Sequence, residues 1–78
     1  MTFPTTKDLK EALGDAPYAS CGVDVYGKYI DLVVTTKCGV TLDATLTPTL
    51  ISEVAMRTLF EMYARAFRVH LKCIAEEK

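Results

Sequence analysis

The sequence predicts an α+β fold: a short N-terminal helix, a three-stranded antiparallel meander, and a long C-terminal helix packed on one face of the sheet (α-β-β-β-α). Three observations carry this reading. From Tyr18 to Leu46 apolar and polar residues alternate, the period of a half-buried strand. Two glycine-bearing turns, Gly27-Lys28 and Lys37-Cys38-Gly39, divide that stretch into three. Beyond Thr47-Pro48 no further Gly or Pro occurs, and apolar residues recur every three or four positions, the period of a helix.

The first helix is expected over "KDLKEAL". Thr5 or Thr6 caps it by accepting from an unpaired first-turn amide, and Gly14 supplies the stop. With Leu9, Ala12 and Leu13 as its whole apolar stripe, such a helix has to dock on another element.

The first hairpin has a register written into it. "DVYGKYID" is nearly a mirror image about Gly27-Lys28, so a two-residue loop places Val25 beside Ile30, Val23 beside Leu32 and Cys21 beside Val34 on one apolar face. A three-residue loop at Lys37-Cys38-Gly39 brings Val40 beside Thr36, Leu42 beside Val34 and Ala44 beside Leu32, which keeps the same face apolar across all three strands. Thr47 is then read as the N-cap of the last helix, Pro48 as its first residue and Leu46 as a staple onto Ile51. A helix from Pro48 to about Glu76 is roughly 43 Å long and overhangs its own sheet.

With 78 residues the chain is read as one domain, 1–78, and a domain this small buries only about 60% of its unfolded surface. Half of the residues are nevertheless hydrophobic, so part of the apolar surface is expected to face a partner. On the last helix Ala55, Leu59, Met62, Ala66, Val69 and Cys73 form an a/d seam, with a bulkier seam of Met56, Phe60, Tyr63, Phe67 and Ile74 beside it. Together they span roughly 200° of the helix, twice an ordinary core stripe. The expectation is a homodimer, with Phe60, Tyr63, Phe67 and Ile74 near the contact.

The opposite sheet face raises a separate question. Asp24 lies across from Asp31 and Tyr26 across from Tyr29, with Asp43 on the third strand. Like charges directly opposed on neighbouring strands are destabilising by roughly 0.2–1 kcal/mol. Asp24, Tyr26, Tyr29, Asp31 and Asp43 are therefore the candidate contact residues for a protein partner with a basic surface, the tyrosines acting as anchors.

Other chemistry finds less support in the residues. A formal net charge of −1 and a pI near 5.7 supply no global basic field, which leaves Arg57, Arg65, Arg68 and Lys72 on the last helix as a weak nucleic-acid stripe without interleaved aromatics. His70 and Cys73 form H-x-x-C, two ligands short of a tetrahedral metal site. No glycine-rich phosphate loop or nucleophile with an oriented base is present, so neither an enzyme nor a bound cofactor or metal is expected. Three separated cysteines suit reduced thiols, and no apolar run approaches a bilayer span or a signal peptide, so a cytoplasmic protein is expected. The functional expectation is a small non-enzymatic inhibitor or adaptor, a phage or mobile-element inhibitor such as an anti-CRISPR protein. The alternative is a structural or assembly subunit of a phage or bacterium.

Overall fold

A computed structural model describes residues 3–48 and 51–76. Its order is α1 (Thr6–Leu13), β1 (Ser20–Tyr26), β2 (Tyr29–Thr35), β3 (Thr41–Leu46) and α2 (Glu53–Glu76), the α-β-β-β-α arrangement that the sequence predicts.

Of the two threonines able to cap α1, Thr5 does so. Its Oγ1 accepts from the Asp8 amide at 3.2 Å, and Asp8 Oδ2 accepts from the Thr5 amide at 2.9 Å, so two orphan donors are satisfied reciprocally. Thr6 turns to other work. Its Oγ1 accepts from the Val23 amide at 3.1 Å and ties α1 to the outer edge of β1. The helix ends at Gly14, where the Gly14 amide donates back to Lys10 at 3.2 Å.

The three strands form one antiparallel sheet in the order β1-β2-β3. Val25 pairs with Ile30, Val23 with Leu32 and Cys21 with Val34, and on the other side Leu42 pairs with Val34 and Ala44 with Leu32. These are the partners that the two turns dictate. At the first turn Gly27 has φ +51° and no residue other than glycine has a positive φ among the described residues, so the hairpin closes through a II′-type turn that needs glycine at its first position. At the second, Thr36 donates its amide to the Val40 carbonyl at 2.8 Å and accepts the Val40 amide on its hydroxyl at 2.9 Å.

Both helices pack on the same side of the sheet, α1 against β1 and α2 against β3, and they also pack against each other. The core between the layers holds Leu9 and Leu13 of α1, Ile30, Leu32 and Val34 of the central strand, and Met56, Phe60, Ala64, Phe67 and Leu71 of α2. No buried side-chain nitrogen or oxygen among the described residues lacks a partner.

Two expectations are corrected here. The long helix begins at Glu53, with Ser52 as its cap: Ser52 Oγ accepts from the Ala55 amide at 3.1 Å. The expected cap Thr47 and first residue Pro48 precede the helix instead, and Thr49 and Leu50 lie outside the described residues. Leu46 and Pro48 are buried, so the chain leaving β3 is spent on covering the core before the helix can start. Twenty-four residues give about 36 Å of helix, against about 24 Å for a seven-residue strand, so α2 still outreaches the sheet.

The second correction concerns Phe60 and Phe67. They were expected at a dimer contact, but at 7% and 6% exposure they belong to the core of the single chain. Tyr63 is half-buried against that core and Ile74 is half-buried near the C-terminus. The reason is the position of α1, which draws the buried stripe of α2 around toward itself and adds Ala64 and Leu71 to it.

Candidate functional site

Because both helices cover one face, the other face of the sheet is bare. Strand alternation puts Asp24 and Tyr26 of β1, Tyr29 and Asp31 of β2, and Thr41, Asp43 and Thr45 of β3 on it. All five residues expected to contact a partner therefore share one surface. Tyr26 and Tyr29 are 50% and 42% exposed, and their rings lie 5.2 Å apart between centroids at an interplanar angle of 33°. That is a tilted, offset pair within the favourable aromatic range.

The opposed aspartates are held in a way that softens their repulsion. Val23 sends its amide off the sheet edge to Thr6, so Val23–Leu32 is a non-hydrogen-bonded pair and its neighbour Asp24–Asp31 is a hydrogen-bonded one. Side chains of such pairs stand farther apart than those of the alternate type. Asp31 is also drawn away from Asp24 toward β3, where its Oδ1 accepts from Thr45 Oγ1 at 2.8 Å. Sequence reasoning missed this bond, although the register already sets Thr45 opposite Asp31. The negative charge is still felt locally: Asp24 above all, then partial desolvation, Asp31 and Tyr29, hold the Tyr26 phenol above its ordinary range.

The basic residues of α2 do not assemble into one free stripe. Arg68 reaches Asp15 at 3.0 Å and Lys72 lies 4.0 Å from the same carboxylate, so two of the four cations neutralise the loop after α1. Arg57 instead lines an open groove of about 370 Å³ between the helices, together with Phe3, Asp8, Glu11, Phe60 and Glu61. Arg65 is exposed on the far side of α2. The groove arises only once α1 docks beside α2, and no sequence motif marks it.

His70 and Cys73 are both exposed, and no group of three or more His, Cys, Asp or Glu among the described residues is placed to hold a metal ion. All three cysteines are free. Cys38, in the second turn, shares a hydrogen bond of 3.1 Å with Thr36 Oγ1, the hydroxyl that also accepts from the Val40 amide. This bond, followed by backbone donation at Val40, holds the Cys38 thiol below its ordinary range. No helix among the described residues is long and apolar enough to cross a membrane. No family model, curated protein or solved structure matches this chain.

Proposed function

We propose that this protein is a small non-enzymatic binding module that acts by occupying the surface of a basic protein partner, as an inhibitor or adaptor does. A phage or mobile-element inhibitor, such as an anti-CRISPR protein, is the kind of protein this describes. One observation carries the reading: both helices lie on one side of the sheet, leaving on the other a half-exposed tyrosine pair at the hairpin end, with Asp24 and Asp31 in the next row and Asp43 farther along on β3. Rigid aromatics supply contact area at low entropic cost, and the carboxylates beside them steer a basic partner and set its orientation. Engagement of Arg68 and Lys72 with Asp15 weighs against nucleic acid as the ligand.

The test is partner capture from candidate host lysates with the wild-type chain and with a Tyr26→Ala/Tyr29→Ala double variant, followed by binding of the captured protein at low and high salt. The expected partner has a basic surface, is lost with the double variant and binds more weakly as salt rises. A partner retained by the double variant and indifferent to salt would refute this use of the face. Relief of CRISPR interference in cells expressing the chain tests the anti-CRISPR reading directly.

A further inference from the structure

The two edges of the sheet are treated differently. At β1, α1 packs alongside and Thr6 accepts the outward-pointing Val23 amide. At β3 no comparable cover exists among the described residues. Since Val23–Leu32 is non-hydrogen-bonded, Leu32 directs its backbone groups to Ala44, and the alternation leaves Thr41, Asp43 and Thr45 with amide and carbonyl pointing off the edge. None of those three amides has a partner among the described residues. The edge carries no Lys, Pro or bulge, and Asp43 is the one charge in "TLDATL".

The apolar seam left over from α2 lies on the same flank. Arg57, Glu61 and Arg68 face α1, as the shared groove and the Asp15 ion pair show. At about 100° per residue the seam of Leu59, Met62, Ala66, Val69 and Cys73 lies roughly 140° around the helix from them. Since α1 covers the β1 side of the sheet and α2 the β3 side, that seam looks out over the open β3 edge. Leu59 and Ala66 turn most toward that edge, whereas Met62 and Val69, 58% and 57% exposed, turn up and away from the sheet.

We infer that this flank binds a second copy of the chain: the two β3 edges pair antiparallel about a two-fold axis, joining the sheets into one of six strands, and the two α2 seams close over the junction. A strand edge supplies donors and acceptors in equal number, so it is complementary to its own copy, and the hydrophobic seam beside it is apolar in both copies. Charge selects the register. Centring the axis on Asp43 would oppose two carboxylates, whereas centring it on Leu42 sets Asp43 opposite Thr41 of the second copy, whose hydroxyl has no side-chain partner among the described residues. About a dozen residues per copy take part, roughly half of a standard interface side, so a weak dimer that forms as concentration rises is expected. The dimer would carry two tyrosine and aspartate patches on one continuous face.

Sedimentation velocity from about 1 to 100 μM, a range that brackets micromolar affinity, tests this. The expected result is a monomer that becomes a dimer and grows no further. Asp43→Pro removes an outward-facing amide together with the carboxylate, at a position that tolerates proline at a sheet edge, and Ala66→Glu charges an exposed seam residue on the β3 side. Each is expected to raise the dissociation constant tenfold or more with the circular dichroism spectrum of the monomer unchanged. In the wild-type chain, hydrogen exchange at Thr41, Asp43 and Thr45 is expected to slow as concentration rises, a readout that does not depend on the proline variant folding. A monomer across the whole range, particles growing past the dimer, or exchange at these amides that ignores concentration would overturn the inference.

Discussion

The two faces of the sheet are built from the same strands and meet opposite fates. On the helical side Ile30, Leu32 and Val34 lose all exposure, whereas on the other side Tyr26 and Tyr29 keep about half of theirs. What separates them is the covering layer: two helices pack over one face, and among the described residues no segment packs over the second. The covered face supplies stability; the bare face is left to solvent.

The sharpest way to break this contrast is to remove apolar bulk from each side of α2, the helix that makes one face the core. Phe67→Ala should cost about 3–5 kcal/mol, because it empties a packed site beneath the helix. That is much of the roughly 5–15 kcal/mol by which a domain is stable. Met62→Ala, on the outward seam, should change the monomer by no more than about 0.5 kcal/mol. Denaturant melts of the two variants, at a concentration below any self-association, decide it. Equal losses would mean that the buried and outward seams have been wrongly told apart.

A smaller effect tests where the covering helix begins. Ser52→Ala should cost about 1 kcal/mol through loss of the bond from the Ala55 amide, and Thr47→Ala should cost less. The reverse order in thermal melts would restore the helix start at Pro48.

These two positions also show what could be read from residues alone. Both hairpin registers were legible, because glycine placement and period-two alternation agree independently at Gly27 and Gly39, and a one-residue slip would have mixed the faces. The helix start was not, since Thr47-Pro48 and Ser52-Glu53 each satisfy the capping rules and only the route of the chain past buried Leu46 and Pro48 selects between them. Nor was the orientation of α2. Periodicity identifies two seams, but which one is buried depends on where α1 docks, a tertiary fact that leaves no local signature. The bare face was legible residue by residue, while the Thr45–Asp31 bond that eases its like-charge pair required attention to hydroxyls.

On the bare face the expected effects are smaller and of opposite sign. Asp24→Thr should stabilise the isolated chain by a few tenths to about 1 kcal/mol, since it removes one of two opposed carboxylates. Asp31→Thr should gain less, because it also gives up the bond from Thr45. Asp43, across from Val33, is the control and should change little. If loss of Asp24 stabilises the chain and slows association with a basic partner in a salt-dependent way, the face trades stability for binding. Stabilised variants with unaltered partner binding would leave the carboxylates as solvated charge only.

The finest probe of the bare face is the ionisation of Tyr26. Its phenol is held above the ordinary range chiefly by the Asp24 charge, with Asp31 contributing less. Ultraviolet titration near pH 10 should therefore show Asp24→Asn bringing one tyrosine transition down toward the ordinary value, and Asp31→Asn bringing it down by a smaller amount. The linkage has a definite sign. A phenol whose folded pKa exceeds its unfolded one leaves stability intact below the unfolded value of about 10 and withdraws it as pH rises through the folded one, because the unfolded chain loses its proton first. Asp24→Asn should weaken that alkaline decline, while below pH 9 its only effect on stability is relief of the opposed pair. A Tyr26 transition that stays in place when Asp24 is neutralised would mean that the carboxylate and the ring do not share the face as the hairpin register places them.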